Sequence, residues 1–378
     1  MPASNQLFLK KTDNQIINLT MRKLRLAILK VEIDKDYALW ETVCHEMRDH
    51  VEWESIDIDR SDWLQRIQRG RFDGLLAMPP GITNAYKGMY DERVNILNTV
   101  LGLPVFPSME EISVYENKKY LSYWLAANGI PHPKTWVFYQ EQEAIDFAAK
   151  AKMPIVGKTN VGASGRGVTI LKSNAEAIEY VKNTFSGKGS MRSTGPNLRK
   201  KGLAMRALKK LANPKAFMAR LQHYKAEGSE VQKDYVILQE HIPHSWEWRC
   251  VRIGDSFFAH KKMVKGEKAS GSLIKGYENP SFALLDFVKE VTDKRHFMSQ
   301  SVDIFETADG HYLVNEMQCT FGQSDPYQML VDGVPGRYRR IDDEWVFEPG
   351  DFNKYQSFLL RLEYFIEVLT QNQLELQR

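Results

Sequence analysis

Lys158 ends an apolar run (154–157) and is followed by Gly162, Gly165 and Gly167 before a second β-branched run at 168–171. A lysine at a strand end supplies a point charge. Glycines, lacking a Cβ, let backbone N–H groups close around an anion. Together they could hold a nucleotide phosphate. The spacing is not that of a Walker loop, because position 152 is Lys152 where a glycine is required. It is not a dinucleotide fingerprint either, since β-formers rather than a helix follow Gly167. Taken alone, such a turn is equally a plain hairpin.

A second set of reactive groups lies in 301–318, two alternating runs around Asp309-Gly310. With those two residues as the loop, Asp303 faces Glu316 and Ser301 faces Gln318. Like charges placed opposite each other repel, so a cation between them is the economical arrangement. Carboxylate oxygens suit a hard ion, Mg²⁺ or Mn²⁺. Val302, Ile304, Leu313 and Met317 then pack inward, which leaves Asp303, Glu316 and Gln318 lining a cleft. The competing reading is a solvated pair on an outward face.

The elements that must position these groups fall into successive units. Residues 24–34, 51–59 and 72–80 read as strands, with helices at 36–50 and 61–69, the pattern of a parallel sheet with crossover helices. A further helix is expected at 91–103 and a short strand at 103–108. This N-terminal α/β domain (21–113) is Rossmann-like without phosphate-binding glycines, and residues 1–20 are a polar arm. In 117–133, Leu121, Trp124 and Leu125 share a helical face, Asn117 is placed to cap, and Gly129 to terminate. Lys118 and Lys119 sit in the first turn, where the helix dipole disfavours cations, so an anionic partner would relieve them.

Further strands are expected at 134–139 and 235–242, a helix at 141–152, a hairpin at 247–263 turning at Gly254-Asp255, and an amphipathic helix at 282–296. Between Lys182 and Ala226 stand twelve Lys or Arg and no Asp or Glu. This insertion, about 184–230, is either a solvated segment or a site for an anionic acceptor. Nucleic acid is poorly supported, since few aromatic residues interrupt it as stacking residues, Phe217 and Tyr224 being those among its basic helical pieces.

The 378 residues suffice for two or three domains, and a net charge of +3 excludes a global polyanion-binding reading. Cys44, Cys250 and Cys319 have no metal-type spacing and cannot all pair, which suits a reducing, cytoplasmic setting. No apolar run approaches the ~20 residues of a membrane span.

Residues 114–325 resemble the ATP-grasp ligases, nearest to the glutathione synthetase and ribosomal-protein glutamate ligase branch. Lys118, eleven residues before Gly129 of NGIPHP, and Lys158 with GASGRG are similar to that family's two phosphate lysines and mobile loop. QEHI (239–242) resembles its adenine hinge, and EWR (247–249) its acidic-x-Arg element. Asp303, Glu316 and Gln318 match its metal ligands, with Gln318 in place of the usual Asn.

The resemblance implies an α/β and α+β chain: an ATP-grasp fold preceded by the Rossmann-like domain, with a lid subdomain over 114–245 and a C-terminal subdomain over 246–378 carrying the metal. It implies that Lys118, Lys158, Gly162, Ser164, Gly165, Gly167, Gln239, Glu240, His241, Ile242 and Glu247 bind ATP, with Glu247 toward the ribose. It places Arg249 and Lys158 at the chemistry. The arginine usually found after the GD hairpin has no match, leaving Lys261 or Lys262 as substitutes. His244 and His260 neighbour the cleft.

The implied activity is an ATP- and Mg²⁺-dependent (or Mn²⁺-dependent) carboxylate–amine ligase that forms an acyl phosphate and releases ADP and phosphate. Small-molecule or peptide carboxylates and amines would be its substrates, and a homodimer is the usual assembly. The alternatives are an ATP-grasp phosphotransferase and a non-catalytic ATP-binding module that recruits an anionic partner.

Overall fold

The computed structural model describes residues 22–33, 36–162, 167–188, 190–191, 231–265, 268–269 and 274–376. Ser164, Gly165 and most of the basic insertion therefore lie outside the described residues.

Strands β1 (Leu24–Lys30), β2 (Val51–Asp57), β3 (Gly74–Ala77) and β4 (Val105–Phe106) form an all-parallel sheet in the order β2-β1-β3-β4. Leu26, Ala27, Ile28 and Leu29 are all fully buried. That uninterrupted run is what a parallel strand covered on both faces requires. Helices α1 (Ala38–Glu46), α2 (Trp63–Gly70) and α3 (Asn84–Asn95) make the crossovers, so the Rossmann-like reading of this unit holds. The helix expected at 91–103 starts earlier, at Asn84. Thr83 caps it by accepting from the Tyr86 N–H at 3.2 Å, and it ends in a π-helical turn, Ile96–Val100. Its polar first half carries little apolar periodicity, which hides the start.

Helix α4 (Met109–Val114) opens with a capping box between Ser108 and Glu111. Helix α5 (Lys118–Ala127) follows, with the Asn117 side chain accepting from the Tyr120 N–H and Gly129 at φ +65° beyond its end, as the sequence predicts. Next come β5 (Thr135–Phe138), α6 (Glu141–Lys150), β6 (Ile155–Lys158), β7 (Val168–Leu171), α7 (Asn174–Phe185), the short pair β8 (Ser190–Met191) and β9 (Val231–Gln232), and β10 (Val236–Glu240). They build an antiparallel sheet in the order β5-β10-β6-β7. Helices α6 and α7 cover one face through Ala144, Ala148, Ala177 and Val181, which meet Ile155, Leu171, Val236 and Leu238. Small residues on the helices let the layers close tightly.

The third sheet is built on β11 (Trp246–Ile253) and β12 (Ser256–Lys265), the hairpin expected around Gly254-Asp255. β13 (Lys268–Ala269) and β14 (Lys275–Gly276) pair with β12. After helix α8 (Phe282–Asp293) come β15 (Ser299–Glu306) and β16 (Tyr312–Gln318), then β17 (Leu330–Val331), β18 (Val334–Ile341) and β19 (Glu344–Pro349). The main path is β16-β15-β11-β12-β18-β17. Helix α8 buries Leu284, Leu285, Val288 and Val291 in the same core as Cys250, Val302, Ile304 and Met317. One face of the β15-β11 pair is thereby apolar, and the other is left for polar groups.

The last helix, α9 (Phe358–Leu376), returns to the first sheet, where Phe358, Leu362, Phe365 and Leu369 share a core with Leu26, Ile28 and Trp40. Among the described residues no helix is long and apolar enough to cross a membrane.

Candidate active site

Lys158 leaves the end of β6 and is only 8% exposed. Its Nζ donates to Asn315 Oδ1 at 3.1 Å, so the second and third sheets meet at this ammonium. Burial, with the nearby charge of Lys118, lowers its pKa to about 8, against the smaller opposing pull of Glu316 and Glu247. A buried cation facing another cation is under-neutralised, and an anion placed between them would be strongly held. Lys118, from the first turn of α5, reaches Glu316 Oε1 at 3.5 Å and donates to the Gly162 carbonyl at 2.8 Å.

The base of the glycine loop is anchored on both sides. The Gly162 N–H donates to Glu116 Oε2 at 2.6 Å, and the Thr159 N–H to the Gly167 carbonyl at 2.8 Å. Gly167 sits at φ +82°, and a Cβ there would come within 1.9 Å of the Thr159 hydroxyl, so no other residue fits. Asn160 ties α5 to this strand end by accepting from the N–H groups of both Lys118 and Lys119.

Lys118, Lys158, Gln239 and Asn315 border a narrow cavity whose apolar walls include Leu125, Ile237 and Val314. Gln239 donates to the Thr135 hydroxyl at 2.9 Å. Glu240 is exposed at the end of β10, and its carboxylate accepts from the Lys134 N–H at 3.3 Å. His241, beyond the strand, has a pKa lowered by burial and by His244. The Ile242 carbonyl lies 2.7 Å from His244 Nδ1. Glu240, His241 and Ile242 do not border this cavity, whose lining sets the two lysines and Gln239 beside apolar side chains.

The polar face of the third sheet carries the opposed charges. Cross-strand register places Glu316 beside Asp303, Asp303 beside Arg249, and Arg249 beside His260. Asp303 is 1% exposed, and it accepts from Arg249 Nε and Nη2, both at 2.9 Å, and from Lys262 Nζ at 2.6 Å. Burial alone would raise the Asp303 pKa, but these two cations hold it well below the usual carboxylate range. Burial likewise works against the charge on Arg249 and on Lys262, and the carboxylates around them keep both firmly protonated. Glu247 is tied to Lys262 at 2.7 Å and accepts from Asn315 Nδ2 at 3.0 Å. Gln318 Oε1 lies 3.4 Å from Arg249 Nη2.

The cation expected between Asp303 and the neighbouring carboxylates is thus supplied here by protein side chains. Two carboxylates and an amide oxygen are nevertheless a hard-ion donor set. Among the described residues no three His, Cys, Asp or Glu side chains cluster, and the third donor of this set is Gln318.

Of the two residues at the centre of the network, motif reading misses Asn315 and leaves Lys262 undistinguished from Lys261. Asn315 is the extra residue of a β-bulge: Asp303 pairs with Glu316, while Ile304 already pairs with Val314. Lys262 is separated from Lys261 by strand parity. Lys261 points to the opposite face, over Trp246 and Trp248 and toward Glu278. The three cysteines are buried and their thiol pKa values are pushed up, Cys44 to about 12, so none is a nucleophile.

No family model and no curated protein matches this sequence. Solved structures do match. The D-cycloserine synthetase DcsG aligns at 15% identity with a TM-score of 0.54, over 91% of this chain and 99% of that one. The D-alanine–D-alanine ligase of Bacillus anthracis aligns at 14% identity and TM-score 0.53, over 93% and 99%. An N5-carboxyaminoimidazole ribonucleotide synthetase, solved with ADP, aligns at 13% and 0.50, over 80% and 73%.

Proposed function

For a chain with the ATP-grasp fold, we propose the activity of an ATP-dependent carboxylate–amine ligase that releases ADP and phosphate. The observation that carries this reading is the convergence of Lys118, Lys158, Glu316 and Asn315 where the two antiparallel sheets meet. Two cations with too little counter-charge, next to an apolar slot, are complementary to a nucleotide's phosphates.

On this reading Lys118 and Lys158 neutralise the ATP phosphates, and the hinge from Gln239 to Ile242 takes the base. Glu247 stands toward the ribose. Glu316 and Gln318, with Asp303, would hold Mg²⁺ or Mn²⁺, which would withdraw negative charge from the transferring phosphoryl group. Arg249 holds the carboxylate substrate. It engages Asp303 and Gln318 through Nε and Nη2, and its Nη1 makes no hydrogen bond among the described residues. That nitrogen can orient a carboxylate oxygen for attack on the γ-phosphorus, which forms the acyl phosphate as the bond to the bridging oxygen breaks and ADP leaves. An amine then attacks the acyl carbon and phosphate leaves. Nothing in the sequence of steps needs a nucleophilic side chain, and the protein's contribution is positioning and charge.

Hydroxylamine tests the intermediate. A ligase yields a hydroxamate in the presence of ATP and its carboxylate, whereas a phosphotransferase consumes ATP and yields none. ATP binding without turnover on any carboxylate would favour the binding module instead.

A further inference from the structure

The cavity that holds Lys118 and Lys158 is also lined by Ser122, His132, Thr135 and Gln239. Ser122 lies one helical turn beyond Lys118 on α5, and Gln239 two residues beyond Ile237, the register partner of Lys158. The Ser122 hydroxyl donates to the Lys119 carbonyl at 2.8 Å, and the Thr135 hydroxyl to the Pro133 carbonyl at 2.9 Å. A hydroxyl has one hydrogen, so both are left with lone pairs only. Thr135 must then accept from Gln239, and its contact, at 2.9 Å, is with Nε2. This fixes the amide: Nε2 is turned to Thr135, and Oε1, which makes no hydrogen bond among the described residues, is left as an acceptor. His132 Nδ1 lies 2.6 Å from the Ile130 carbonyl, which can only accept. Nδ1 therefore carries the hydrogen, and the neutral ring offers a lone pair at Nε2. β10 runs between β5 and β6, with Gln239 in register with Thr135 and Val156, so its backbone belongs to the ladder and its side chain is what remains for a ligand.

Resting on the ligase reading above, we propose that Ser122, His132 and Gln239 select the nucleotide base by its 6-amino group, and that Thr135 is the residue that orients the Gln239 amide. The chemistry of the acceptors carries the assignment. Lone pairs from α5, from the segment between α5 and β5, and from β10 border one cavity, and each is left with a hydrogen bond to receive. Adenine carries two hydrogens on its 6-amino group and satisfies two of these acceptors. Hypoxanthine and guanine carry an oxygen at that position, which would meet acceptors with nothing to share. Ser122 and Gln239 are buried, and a buried acceptor left unpaired is costly. Gln239 cannot relieve this by turning its amide over, because Oε1 would then meet the Thr135 hydroxyl, whose hydrogen is committed to Pro133. The two lysines of the same cavity are the phosphate-binding groups of the ligase reading, so base and phosphates belong to one molecule. The amine substrate is not the donor, because it must reach the acyl carbon at Arg249, and Arg249 does not border this cavity.

The test is calorimetric titration of the full chain, with Mg²⁺, against ADP, IDP and purine riboside 5′-diphosphate, which carry an amino group, an oxygen and a hydrogen at position 6. The wild-type protein should bind ADP roughly tenfold or more tightly than either of the others, with IDP the weakest. Thr135→Val frees the amide to turn, and should bring IDP to within about threefold of ADP. Gln239→Met removes an acceptor and should narrow both preferences. The ratio of affinities is the readout, because damage to the fold would weaken all three nucleotides alike. Equal or better binding of either analogue by the wild type, or an ADP-to-IDP ratio that either variant leaves unchanged, would overturn the base assignment. The ADP titration separates the two levels: if no nucleotide binds, the ligase reading falls and the base assignment falls with it, whereas ADP binding without a preference at position 6 removes the base assignment alone.

Discussion

At Lys158, charge and burial oppose each other most directly. Its ammonium is the group for which an arriving phosphate changes most, and three expectations follow. Replacing Lys158 or Glu316 by alanine should lower ATP turnover by roughly 10²–10³-fold, the scale of losing one preorganised charge contact in a dry site. Circular dichroism should show both variants folded, and full activity in either would contradict the site. The second expectation concerns pH. Lys158 titrates at about 8 when folded against an ordinary value of 10.5. Below pH 8 it is protonated in both folded and unfolded chains. Between the two values the unfolded chain retains the proton that the folded one has lost, so this group's effect is a stability that rises with pH across that window. Bound phosphate restores the proton, so ATP affinity should weaken over the same window and binding should take up a proton. Titration in buffers of different ionisation enthalpy measures that uptake.

The third expectation is for Asn315→Ala, which removes the link between Lys158 and Glu247. It should cost roughly 10- to 100-fold in kcat/KM, the scale of losing a hydrogen bond to a charged group, with ATP still bound. Lys118 and Lys158 are legible in the sequence because a lysine beside glycines at a strand end is locally unusual. Asn315 is not, because its role depends on a bulge that no residue type announces. Lys262 lies between: the Gly254-Asp255 turn sets a register that pairs it with Glu247 and excludes Lys261.

At the scale of the element, the acidic hairpin shows how a correct pairing can rest on an incorrect turn. Asp309-Gly310 as a two-residue loop puts Asp303 opposite Glu316, and the structure has that pair. The connection is longer, however: Glu306 pairs with Tyr312, and Thr307 closes onto the carbonyl of His311. This shifts the register by one position near the turn, and the bulge at Asn315 shifts it back before the site. Helix α4 carries a prediction of its own. Glu111 is fully buried, with Oε2 accepting from the Ser108 N–H and Oε1 from the Ser299 N–H at 2.6 Å, so it fastens the first unit to β15. Burial raises its pKa to about 7, the backbone N–H groups partly offsetting this. The ionised form is therefore the costly one, and the contribution it makes to stability falls as pH rises from 4.5 toward 7. Glu111→Ala leaves two buried N–H groups unpaired, and should lower unfolding stability by about 2–4 kcal/mol in denaturant titrations.

At the scale of the molecule, three sheets are joined by side chains that each belong to two of them. Asn315 and Lys158 join the second and third, Glu111 the first and third, and α9 returns the end of the chain to the first sheet. The order of strands and helices is legible from periodicity, which is local. The return of α9 is not, because an amphipathic helix does not say which sheet it will cover. The cleft where Lys118 and Lys158 face Glu316 exists only once that assembly is complete.

The most direct measurement is ³¹P NMR of the purified chain with ATP and Mg²⁺, with and without a pool of small carboxylates and amines. The account predicts ADP and inorganic phosphate, formed only when a carboxylate is present and lost in Lys158→Ala. AMP and pyrophosphate, or carboxylate-dependent turnover that survives Lys158→Ala, would contradict it.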